Sequence, residues 1–229
     1  IDNSLRFDDG DSAYLSRTPG SAGNRKTWTW SGWVKRGTLG SEQTFFMAHE
    51  GGNDYVAFQF DSDDTLNITY KDLNASGGSL STQTRRKITS QVFRDPSAFY
   101  HIVIKFQAAS TNCDVYVNGE EVTAFSVNEE PQDLDFAVNN NVEHVVGSSK
   151  WSVTGVAISY FDGYIAEVYL IDGTALTPSS FGELDSTTNQ WKPLDSDDVK
   201  DAVTFGTNGF FQKYNSTELA ASFADSAEG

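Results

Sequence analysis

Apolar and polar residues alternate along most of this chain with the two-residue period of half-buried strands. TFFMAH (44–49), DYVAFQFD (54–61) and TLNITYKD (65–72) follow one another at short spacing, with Gly-Gly-Asn at 51–53 and Asp-Ser-Asp-Asp at 61–64 as turns. LRFDDGDSAYLSR (5–17) reads as strand, acidic turn, strand. FYHIVIKFQ (99–107) and CDVYVNGEEV (113–122) form a pair, the second folding back at Asn118-Gly119, a strong hairpin dipeptide. EHVVGSS (143–149) and FDGYIAEVYLIDGTAL (161–176) complete the pattern. Strand signals separated by turn residues every ~8–12 positions predict an all-β sandwich or barrel. Helical pattern is scarce: TPSSFGEL (177–184), with Thr177 as N-cap and Pro178 in the first turn, and one further turn in DSDDVKDAV (195–203).

The character changes towards the C-terminus. The sequence becomes polar and turn-rich, yet it holds Trp191, Phe205, Phe210 and Phe211. We therefore expect a sandwich over 1–182 and an ordered appendage, 183–229, packed on it.

Composition narrows the function classes. With 229 residues the chain is long enough for a substantial core. Its formal net charge of −16 repels nucleic acid and anionic lipid. No apolar run reaches the length that spans a bilayer, so neither nucleic-acid binding nor membrane insertion is expected. The single cysteine, Cys113, alternates with Val115 and Val117, as a buried inert thiol would.

The order of SLRFDDGDSAYLSR, TWTWSGWVKRG, FYHIVIKF…DVYVNGEEV and FDGYIAEVYLIDGTAL resembles the concanavalin A-like, laminin-G-like jelly rolls of lectins and glucanases. Tyr100-His101, Tyr116 to Gly119 and Gly163 to Val168 stand where that family has its recurrent strand motifs. A narrower resemblance lies in Phe181-Gly182-Glu183, Trp191-Lys192-Pro193 and Phe205 to Phe210. These are similar to a segment that follows the jelly roll in virion proteins of marine bacteriophages and some large algal viruses. The resemblance implies a concanavalin A-like two-sheet antiparallel jelly roll in a tail, fibre or capsid-surface protein. It also implies a virion location, other virion subunits or copies of itself as partners, and a further segment after the appendage.

The resemblance makes TWTWSGWVK an inner strand. Trp28, Trp30 and Val34, with Gly32 as the small partner, then face the inter-sheet core, since two bulky apolar residues in register need burial. Thr29, Ser31, Trp33 and Lys35 face the other way, towards the appendage (under Trp191 or Phe210) or towards a ligand. Trp33, Trp151 and Tyr160 are the candidates for stacking on a host-surface glycan.

Catalytic patterns are sparse. A retaining glucanase of this fold carries Glu-x-Asp-x-x-Glu on one strand, the two working carboxyls ~5–5.5 Å apart. The nearest string, Glu183-Leu184-Asp185-Ser186-Thr187-Thr188, lacks the last acid, and the Gly163–Val168 stretch offers Glu167 alone. The acidic clusters at 8–11, 61–64 and 195–198 do not fit an EF-hand. Ca²⁺ at one rim is what the family resemblance adds. His49, His101 and His144 show no metal-ligand spacing. The expectation is a non-catalytic virion adhesion module, with a free glycan-binding lectin as the alternative and a polysaccharide-cleaving enzyme behind both.

Overall fold

The computed structural model describes residues 1–50, 54–72, 83–150, 158–215 and 225. In chain order the strands are β1 (Leu5–Phe7), β2 (Leu15–Arg17), β3 (Thr27–Arg36), β4 (Gln43–His49), β5 (Tyr55–Phe60), β6 (Thr65–Asp72), β7 (Gln83–Val92) and β8 (Tyr100–Gln107). They continue as β9 (Asn112–Val117), β10 (Glu120–Glu121), β11 (Phe125–Asn128), β12 (Glu143–Val146), β13 (Gly163–Asp172), β14 (Gly182–Leu184), β15 (Trp191–Pro193) and β16 (Phe210–Gln212). One helix, α1 (Ser196–Ala202), lies between β15 and β16.

Two antiparallel sheets of seven strands make the sandwich. One has the order β1-β13-β3-β8-β9-β10, with β16 also on β13; the other runs β11-β7-β6-β5-β4-β12-β2. We call the first the covered sheet and the second the open sheet, for what lies on their outer faces. Trp28 and Trp30 of β3 reach across the interior, Trp28 against Phe58 and Trp30 against Phe45, Phe46 and Phe58. Both tryptophans and Val34 are fully buried. Gly32 makes room for the Trp30 indole, since a Cβ there would come within 2.6 Å of that ring. The face expected to be core is core.

The 5–17 stretch departs from the simplest expectation: β1 pairs with β13 and β2 with β12, so its two strands belong to different sheets rather than to one hairpin. At 177–184 a 3-10 turn, Pro178–Ser180, and strand β14 form instead of an α-helix, and Thr177 makes no side-chain cap bond. Helix α1 does form where expected, with Asp195 accepting from the Asp197 N–H as its N-cap.

Phe181 and described residues beyond it roof the covered sheet. Phe181, Val199 and Phe211 pack on Val103, Tyr169 and Ile171 of its outer face, and the Phe211 ring stacks on Tyr169 at 4.2 Å. They also enter the sheet, because β16 pairs with β13 and Phe210 belongs to the main core.

A buried ion cluster ties the two sheets together at one end. Arg36, at the end of β3, donates to Asp64 Oδ1 (2.9 Å) and to the Phe93 carbonyl (2.7 Å), with its guanidinium 4.6 Å from the Phe60 ring centre. Asp64 sits at φ +69° in the β5–β6 turn and also accepts from Arg94 Nε (2.7 Å) and the Gly40 N–H (2.8 Å).

Candidate functional site

Three places bear on ligand binding: the roofed face of the covered sheet, the outer face of the open sheet, and the edge near β2. On the roofed face Trp33 is 5% exposed, and its ring stacks on His101 at 4.6 Å. Trp191 Nε1 donates to His101 Nδ1 at 2.8 Å, and Ser31 Oγ lies 2.9 Å from Nε2. With Nδ1 accepting, Nε2 carries the proton and donates to Ser31. Burial pushes this imidazole down to about 3, so it is neutral. Trp191 in turn lies over two glycines: a Cβ at Gly119 or Gly182 would come within 2.5 Å or 2.8 Å of its indole. The Asn118-Gly119 turn has φ of +50° and +84°, so glycine there serves both the tight hairpin and the seat for Trp191. Trp33 is thus an element of packing beneath Trp191, which corrects its candidacy as a sugar platform.

Tyr160 is half-buried, its ring 6.4 Å from that of Tyr14, which is 38% exposed. Lys150 Nζ stands 4.8 Å from the Tyr14 ring centre and bridges to Glu143 at 2.7 Å. Trp151 lies outside the described residues.

The outer face of the open sheet carries a polar trough. Alternation on β5 and β6 sends Phe58, Phe60, Leu66 and Ile68 inward, leaving Gln59, Asn67 and Thr69 outward. Gln59 and Asn67 are register partners. With Tyr55, Asp61, Asp63 and Arg86 they line a depression of ≈ 380 Å³ that Glu42 borders. Asp61 accepts from Gln59 Nε2 (2.7 Å) and from Asn67 Nδ2 (2.9 and 3.1 Å), and Thr69 Oγ1 donates to Asn67 Oδ1 (2.9 Å). Burial raises the Asp61 carboxyl above its ordinary value, the amide donors pull it back, and Glu42 and Asp63 add to the rise. Glu42 is held by Ser159 Oγ at 2.8 Å, while the Ser159 carbonyl accepts the Thr44 N–H. The Gln59 carbonyl oxygen is buried at the floor and has no hydrogen-bond partner among the described residues.

The trough has one aromatic residue in its lining, Tyr55, so aromatic content does not point to it in the sequence. Its signal is the polar alternate positions of two consecutive strands, Gln59–Asp61 and Asn67–Thr69.

The acidic stretches are otherwise engaged. Asp64 is held by two arginines, Asp63 caps Thr65 through its N–H and hydroxyl, and Asp8 accepts from Arg6 and the Gly10 N–H. No group of three His, Cys, Asp or Glu side chains placed to hold a metal occurs among the described residues. Cys113 is buried, and burial raises its thiol. Glu167, the lone acid of its strand motif, is 8% exposed at φ +47° and is pushed up to about 7 by burial.

A two-sheet antiparallel jelly roll with one sheet roofed and the other open defines the class of molecule. Residues 8–181 match the model of the concanavalin A-like lectin/glucanases superfamily, and the chain belongs to that superfamily. Its fold is similar to that of a Bacteroides ovatus protein described as carbohydrate binding (TM-score 0.57, 17% identity, 92% of this chain and 50% of that one). It is similar also to a point mutant of NanB sialidase from Streptococcus pneumoniae (TM-score 0.56, 15% identity, 81% and 29%). A third likeness is to the enzymatically active domain of tailspike protein 2 of bacteriophage CBA120 (TM-score 0.51, 14% identity, 78% and 26%). This chain spans half the length of the first structure and less of the other two. No curated protein sequence matches it.

Proposed function

We propose that this protein is a non-catalytic glycan-binding adhesion module that works in a virion as part of a tail, fibre or capsid surface. The observation that carries the glycan reading is the trough, an open concavity floored by side-chain amides, a hydroxyl and a carboxylate in one hydrogen-bonded array. Polyhydroxylated ligands are read by convergent groups of this kind on a rigid sheet. The similarity to a protein described as carbohydrate binding supports the reading at the level of fold. The virion setting rests on the ordered motifs of the 181–210 segment and is consistent with the likeness to a phage tailspike. Oligomeric assembly goes with that setting.

A glycan array probed with the purified chain, with and without EDTA, tests binding and any cation requirement together. No binding to any host-surface glycan sinks the lectin reading. Immunolabelling of intact particles in the electron microscope tests the virion setting, and absence of label from every particle sinks it. Asp61, raised by burial beside Glu42 and Asp63, is the trough carboxyl a hydrolytic reading favours. The non-catalytic reading expects no new reducing ends when bound glycans are incubated with the protein, and their appearance overturns it.

A further inference from the structure

The trough carries more than a general affinity for sugars. Its charged groups are three carboxylates, Glu42, Asp61 and Asp63, against one guanidinium, Arg86. Its floor is weighted towards acceptors. Both Asp61 oxygens take amide N–H groups yet retain lone pairs, Thr69 Oγ1 uses its proton on Asn67, and the buried Gln59 carbonyl oxygen takes nothing from the described residues. A ligand that brings hydroxyl or ammonium protons meets the Asp61 carboxylate as its acceptor. One that brings a carboxylate, sulfate or phosphate meets like charge in a partly desolvated concavity.

Resting on the glycan reading above, we infer that the trough selects by charge, accepting neutral and amino sugars through O–H and N–H donation to Asp61, which Gln59 and Asn67 hold in place, and rejecting acidic ones. Tyr55 supplies an aromatic wall to the same trough, with Lys71 Nζ 5.8 Å from its ring centre. Glu42 is held by Ser159 from outside strands β5 and β6, which fixes an acidic group in the lining.

The test is an array carrying neutral, N-deacetylated amino and acidic (uronate, sialylated, sulfated) oligosaccharides, probed with the wild-type chain and two variants. Hits confined to the neutral and amino classes are expected. Gln59→Leu should lose them at least tenfold with an unchanged circular dichroism spectrum, and Glu42→Gln/Asp63→Asn should gain at least tenfold for the acidic class. Asparagine at 63 keeps the oxygen that caps Thr65, so the turn survives that change. Acidic glycans bound by the wild type as well as neutral ones would overturn the inference while leaving glycan binding intact. Hits unaffected by Gln59→Leu would overturn it by placing the ligand elsewhere. No hits of any class would overturn the glycan reading itself.

Discussion

At the scale of single residues, partners decide what each conspicuous side chain does. His101 has both ring nitrogens occupied and no access to water, so it is a structural joint between Ser31 and Trp191. Trp191→Phe keeps an aromatic ring over the site but removes the indole N–H and part of its volume, leaving Nδ1 of His101 buried and unpaired. We expect a loss of ~1–3 kcal/mol, read as a lower urea midpoint with an unchanged denaturant slope. Arg36 is wholly buried and has Asp64, the Phe93 carbonyl and the Phe60 ring around it. Arg36→Met should cost ~3–5 kcal/mol, because Asp64 then loses its interior counter-charge. An unchanged midpoint would contradict this. Burial pushes Asp64 up, but Arg94, the Gly40 N–H and Arg36 together hold it down to about 2. Its stabilising contribution is therefore complete above the ordinary aspartate value, near 4, and is lost as pH falls from there towards 2. Asp64→Asn should flatten that part of the urea-midpoint profile, and an unaltered acid limb would refute the assignment.

At the scale of elements, strands with clean alternation were legible and strands made by pairing alone were not. Strands β3, β5, β6, β8, β9 and β13 lie where TWTWSGWVK, DYVAFQFD, TLNITYKD, FYHIVIKFQ, CDVYV and GYIAEVYLID place them. Strand β7, QTRRKITSQV, has too few apolar residues to announce itself; it exists because β6 and β11 hydrogen-bond it on both sides. Separation of β1 from β2 was equally hidden, since strand partners are a tertiary choice. The trough was hidden for a related reason: its residues become neighbours only once β5 and β6 pair in register. Strand β13 carries a bulge between Ala166 and Tyr169, where Glu167 adopts φ +47° and is buried with one carboxylate oxygen unpartnered among the described residues. A carboxyl raised to about 7 in the fold costs stability as pH climbs from its ordinary value, near 4.5, to 7, and the loss levels off above that. Glu167→Gln removes this cost and should stabilise the protein by on the order of 2 kcal/mol at pH 8, with little effect at pH 4. Equal effects at both pH values would show that Glu167 does not titrate in the bulge.

At the scale of the whole molecule, the two outer faces of the sandwich have been put to different uses. The covered sheet spends Trp33, His101, Tyr169 and Ile171 on packing beneath the C-terminal residues. The open sheet carries a polar concavity among the described residues, on a chain whose net charge of −16 opposes polyanions overall. The proposed glycan reading therefore places binding on the face where the outward residues are amides and carboxylates, not on the one richest in aromatics. The most direct test is a 1H–15N spectrum of the side-chain amides during titration with the strongest neutral hit of the array. The account predicts saturable shifts of the Gln59 and Asn67 side-chain amides, with the Trp33 and Trp191 indole N–H signals unmoved. Saturation that leaves Gln59 and Asn67 unshifted, with changes gathered around Tyr14 and Tyr160 or in the C-terminal roof, would contradict it.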